Sequence, residues 1–115
     1  EHVHLISLSD GLERPTRQEI ADLAALEVGD VPTVHNMLRS DPVVSRLPYD
    51  EGIAYSAHLA RGLRQLFRVL RPSVIIGGHD RVHSAMGMAI ARAEGIPWYG
   101  LNFSTVPKLR RAFKI

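Results

Sequence analysis

Residues 74–104, VIIGGHDRVHSAMGMAIARAEGIPWYGLNFS, read as a strand, a glycine turn, a helix and a second strand. Val74, Ile75 and Ile76 form a short β-branched apolar run, which predicts a strand buried on both faces, and Gly77-Gly78 ends it. From Val82 to Glu94 the residues Ala85, Met86, Met88, Ala89, Ile90 and Ala93 give a helix a broad inward face, and Gly95 then Pro97 stop it. Trp98 to Phe103 reads as the next strand. Crossovers of this kind are right-handed in nearly all folds, so the two strands should run parallel. Their carboxyl ends, Gly77 to Asp80 and Asn102 to Thr105, then share one edge of the sheet, which is where ligands of open α/β sheets collect.

Working outward, His2 to Ser9 carries Val3, Leu5, Ile6 and Leu8 and predicts a further strand, closed by the turn residues Ser9-Asp10-Gly11. Thr16-Arg17-Gln18-Glu19 has the form of a capping box, and Ile20, Leu23, Ala24 and Leu26 give the helix behind it one apolar face that should end near Gly29. Residues 31–48 carry Pro32, Pro42 and Pro48 and are expected to form an irregular insertion, with short helices started by Thr33 and by Ser40 or Asp41. Asp50 is a candidate cap for a long helix running from Glu51 to about Leu70, with Tyr55, Leu59, Leu63, Leu66, Phe67 and Leu70 as its inward stripe and Pro72 as its stop.

A chain of 115 residues fits one domain. Its formal charge is +2, with 14 Lys and Arg against 12 Asp and Glu, so charge alone implies no nucleic-acid partner. The absence of cysteine excludes a disulfide framework and thiol catalysis. No apolar run approaches the roughly 20 residues that cross a bilayer, and no secretion signal is evident, so a cytoplasmic protein is expected. The start at Glu1 without Met, and the stop at Ile115 just after a nascent basic helix, predict a piece of a longer chain. An incomplete sheet edge is open to pairing with a second copy, which would make a homodimer.

The turn Gly77-Gly78-His79-Asp80 is the leading candidate for chemistry. Its glycines let a ligand approach the backbone, and the amides opening the next helix offer a seat for a phosphate, a carboxylate or a sugar hydroxyl. It lacks the spacing of a dinucleotide fingerprint or a P-loop. The plainer alternative is a tight turn in which Asp80 caps the helix and His79 is merely exposed. His79 and His83 could share a metal, but no third ligand is evident, and neither metal nor cofactor is expected. His79 as general base, oriented by Asp80, fits better, since an imidazole titrates near neutral pH and can take a proton from a sugar hydroxyl.

Asn102, Ser104 and Thr105 after the last strand, and Asp10 with Ser7 and Ser9 after the first, could bind a polar substrate or be ordinary turn formers. Trp98 and Tyr99 are assigned to the core rather than to a sugar-stacking platform. Arg61, Arg64, Arg68 and Arg71 form a helical stripe, and Lys108, Arg110, Arg111 and Lys114 a terminal cluster. Both read as solvated faces, with an anionic membrane surface or nucleic acid as the alternative partner for the stripe.

The run Leu70-Arg71-Pro72-Ser73-Val74-Ile75-Ile76-Gly77-Gly78-His79-Asp80, followed by a small-residue helix and Gly95-Ile96-Pro97-Trp98, resembles a passage in the amino-terminal domain of GT-B glycosyltransferases. Related polysaccharide-biosynthesis proteins and UDP-N-acetylglucosamine 2-epimerases share that passage. The resemblance implies an α/β fold: a single Rossmann-like three-layer domain over residues 1–115, with a short parallel sheet that is incomplete. It implies the acceptor-side domain of a transferase that moves a sugar from a nucleotide-sugar donor onto a surface polysaccharide or glycolipid acceptor. Donor binding in the family falls to a second domain, so the chain alone should be inactive. The resemblance carries a catalytic role to His79 and Asp80 and substrate contacts to Gly77 and Gly78. The glycine-rich turn after the family's first strand has no counterpart here. The alternatives are a non-catalytic α/β binding or regulatory module for a small anion or partner protein, and half of a UDP-sugar epimerase-like enzyme.

Overall fold

The structure, a computed structural model, describes residues 14–27, 29, 31–78, 80–103 and 110–114, with only the backbone described at 102, 103 and 110–114. The predicted strand His2 to Ser9 and the residues Asp10, His79, Ser104 and Thr105 lie outside these.

The capping box forms as its sequence predicts. Thr16 Oγ1 accepts from the Glu19 amide at 3.2 Å and Glu19 Oε2 accepts from the Thr16 amide at 2.7 Å, starting helix α1 (Arg17–Ala21). The helix then tightens into a 3₁₀ turn, Asp22–Leu26, which buries Leu23 and Leu26. Thr33 caps helix α2 (Val34–Ser40) by accepting from the Asn36 amide, and Met37 and Leu38 carry that helix into the core. After a second 3₁₀ turn, Val44–Arg46, helix α3 (Tyr49–Leu70) begins behind Pro48, so Asp50 lies inside its first turn and is not its cap. The buried side of α3 runs through Ser56, Leu59, Ala60, Leu63 and Phe67. Tyr55 and Leu70, read as part of that stripe, are exposed.

In its described residues the segment 74–104 forms the strand, helix and strand read from it. Strand β1 (Ile75–Gly77), helix α4 (Val82–Ala93) and strand β2 (Trp98–Phe103) form a crossover with β1 and β2 parallel. Ile75 pairs with Trp98, Ile76 with Tyr99 and Gly77 with Gly100. Gly95 stops α4 from the left-handed region, at φ +71°, a conformation that favours glycine.

Three expectations are corrected. Strand β3 (Arg110–Lys114) pairs antiparallel with β2, giving a mixed sheet in the order β1-β2-β3 where a wholly parallel one was expected. The same segment had read as a nascent basic helix. Its backbone instead satisfies the outer edge of β2 through a ladder from Tyr99↔Lys114 to Phe103↔Arg110, a tertiary demand that overrides local propensity. Strand β1 is also not buried on both faces, because among the described residues only one face of the sheet is covered. Ile75, Gly77, Trp98 and Gly100 face α4, whereas Ile76 is 63% exposed and Tyr99 and Leu101 are exposed with it. The described residues therefore make a compact α/β unit with helices over one sheet face, without the expected third layer.

The core joins Leu23, Leu26, Met37, Leu63, Phe67 and the buried side of α4, where Val82, Met86 and Ile90 are almost wholly enclosed, to Trp98. Trp98 is indeed a core residue. A Cβ placed on Gly77 would lie 2.6 Å from Trp98 Cζ2, and one on Gly87 of α4 would lie 3.0 Å from Trp98 Cη2. The indole therefore fills space that two glycines leave empty, one on the sheet and one on the helix.

Gly77→Ala should lower the stability to urea unfolding by about 1–3 kcal/mol, since the indole must move. In a Trp98→Phe background the added methyl finds room and the same substitution should be much milder. Equal penalties in the two backgrounds would refute this packing argument.

Candidate functional site

The parallel crossover brings the carboxyl ends of β1 and β2 to one edge. Asn102 lies on β2 two positions beyond Gly100, the partner of Gly77, so, still paired with Arg111 of β3, it extends past the end of β1 on the edge where Gly78 lies. Past β1 the chain passes Gly78 and the exposed Asp80 before Arg81 opens α4. A Cβ on Gly78 would lie 3.3 Å from Asp80 Oδ1 and 3.4 Å from Ser84 Oγ. A carboxylate and a hydroxyl thus lean over the same glycine, and Ser84 joins the candidate residues although the sequence had not marked it. The edge so built offers an acceptor oxygen pair at Asp80, a donor and acceptor at Ser84, and backbone groups of the glycine turn.

Gly77 does not contribute an open backbone surface here, because the indole of Trp98 occupies the side its missing Cβ leaves clear. The seat at the start of α4 is also filled from within the chain. Asp41, only 5% exposed, accepts from the Val82 amide through Oδ2 at 3.2 Å. Its Oδ1 accepts from the Val43 amide at 2.9 Å and the Val44 amide at 3.0 Å. One carboxylate therefore caps a 3₁₀ turn and a helix that begins 41 residues later. Asp80, the cap in the plainer alternative, does not serve α4, whose N-cap Arg81 makes no side-chain capping bond.

Burial works to raise the Asp41 carboxyl, but the Val44, Val43 and Val82 amides and the Arg81 charge outweigh it and hold the group below the usual aspartate range. Asp41 is thus a fixed negative charge at a helix start that would otherwise attract anions. Its charge also reaches Tyr55: burial first, and the Asp41 charge second, push the Tyr55 phenol above its ordinary value. Tyr55 stays neutral and keeps its proton to donate.

Among the described residues no three His, Asp or Glu side chains are placed to share a metal. No helix of the described residues is long and apolar enough to cross a membrane. No protein-family model matches the chain, and no curated protein or solved structure does so either.

Because the folded-state carboxyl of Asp41 is depressed, its contribution is fully present above the unfolded aspartate value of about 3.9 and is lost as pH falls through the lower folded value. Asp41→Ala should cost about 2–4 kcal/mol near neutral pH, because buried amides lose their acceptor. Asp41→Asn keeps the shape and should cost less while flattening the acid limb of a stability–pH curve. A wild-type acid limb unchanged by Asp41→Asn would show that this carboxylate is not the group responsible.

Proposed function

We propose that the chain is the acceptor-binding unit of a GT-B-like sugar-transferring enzyme, with the acceptor lying along the carboxyl edge of β1 and β2. The observation that carries the reading is the parallel β1–α4–β2 crossover, with Asp80 and Ser84 gathered over Gly78 and Asn102 of β2 extending past the end of β1 on the same edge. Such an edge suits a neutral ligand rich in hydroxyl groups. Among the side chains described there, a buried carboxylate at Asp41 and an exposed one at Asp80 stand beside Arg81, acceptors to which a sugar hydroxyl could donate.

In the transfer, the acceptor oxygen forms a bond to the anomeric carbon as the bond to the nucleotide diphosphate breaks, and the hydroxyl proton must pass to a base. His79, between Gly78 and Asp80 in the sequence, takes that role in the proposal. Asp80 holds the acceptor, or the base, in position. The donor would be held by a second domain, as the family resemblance implies.

A ¹⁵N-resolved NMR titration of the chain with simple methyl glycosides tests the reading. Shifts are expected at Gly78, Asp80 and Ser84, with affinity reduced about tenfold by Asp80→Ala. Shifts confined to residues away from this edge, or none at high millimolar glycoside, would reject it.

A further inference from the structure

On α3, away from the sheet edge, Ala57, Arg61, Arg64, Gln65, Arg68 and Val69 line an open cleft of about 320 Å³, closed on one side by Glu19 of α1. Their spacing puts them on one stripe of the helix. The outer arginines of the stripe are already fixed. Arg61 Nη1 pairs with Glu19 Oε1 at 3.2 Å and its Nη2 lies 3.2 Å from His58 Nδ1. Arg68 reaches Glu94, at the end of α4, with both Nη2 at 3.0 Å and Nε at 3.2 Å from Oε1. Glu19 is in turn anchored by the capping box of α1.

Arg64, between them, is half-buried and makes no ion pair with any described residue. Three arginines and one carboxylate, Glu19, thus line the cleft, Glu94 engages Arg68 from outside that lining, and among the described residues Arg64 has no carboxylate partner, with Gln65 next to it. We propose that this cleft is a binding site for a small soluble phosphate ester or diphosphate. Guanidinium forks match phosphate oxygens, and a dianion supplies the charge that Arg64 lacks. Arg61 and Arg68 are held in place by their carboxylates, so binding need not order them. Val69, exposed at one end of the cleft, offers an apolar contact for the organic part of the ligand. The site shares no residue with the carboxyl edge of the sheet and stands or falls independently of the acceptor reading.

Calorimetric titration of the chain with inorganic pyrophosphate is the test, accompanied by NMR detection of the Gln65 side-chain amide. Binding is expected at or below about 1 mM, with the Gln65 amide shifted. Arg64→Gln should weaken it about tenfold or more, and Arg64→Lys, which keeps the charge but loses the fork, by less. Arg39→Gln removes the same charge from exposed α2 and should leave the affinity within about twofold. Three results would each overturn the proposal: no pyrophosphate binding at about 10 mM, equal losses in Arg39→Gln and Arg64→Gln, or sedimentation with phosphatidic-acid vesicles without pyrophosphate binding. Far-UV circular dichroism of each variant establishes that it is folded.

Discussion

The indole of Trp98 lies against Gly77 of β1, closer than a side chain there would allow, and against Gly87 of α4, where a Cβ would be in tight contact. Much else follows from that contact. It sets how near α4 sits to the sheet, and α4 in turn carries Val82, Met86 and Ile90, which the helices α2 and α3 enclose. A large aromatic on one element facing glycines on two others is a packing solution in which no partner can change size alone. It also explains why the glycine turn begins where it does, since the first of its two glycines serves the core and only the second borders the polar edge.

A different constraint positions the start of α4. Asp41 stands between α2 and the 3₁₀ turn that follows it, and its two oxygens tie that stretch to the helix that leaves the sheet edge. Burying a carboxylate is expensive unless its lone pairs are satisfied, and three amides meet that need. The consequence for chemistry is selective. A helix start preloaded with a negative charge has little to offer an anion, while the arginine stripe on α3 collects positive charge elsewhere. In the two readings proposed above, the sheet edge takes a hydroxyl-rich ligand and the arginine-lined cleft takes an anion.

What could be read from the sequence was what depends on neighbours. The capping box at Thr16 and Glu19, the Thr33 cap, the extent of α4 and its stop at Gly95 are all set within a few residues, and each was legible. The parallel pairing of β1 and β2 was legible too, because a helix between two short strands leaves few ways to connect them. The contact between Asp41 and Val82 was not, since nothing in either segment names the other; Asp41 could be seen only as a local cap, which is half of what it does. The segment 110–114 misled because its basic residues and alanine suit a helix, whereas the free edge of β2 selects an extended backbone. Gly77 and Gly78 looked alike on the page and differ only in whether an indole lies over them.

Trp98 is the sole tryptophan of the chain, and its enclosed indole nitrogen has no hydrogen-bond partner among the described residues. An indole in such surroundings emits at short wavelength and moves to the red once water reaches it. The seam between sheet and helix thus carries its own optical reporter, whose colour follows the separation of these two elements without any label.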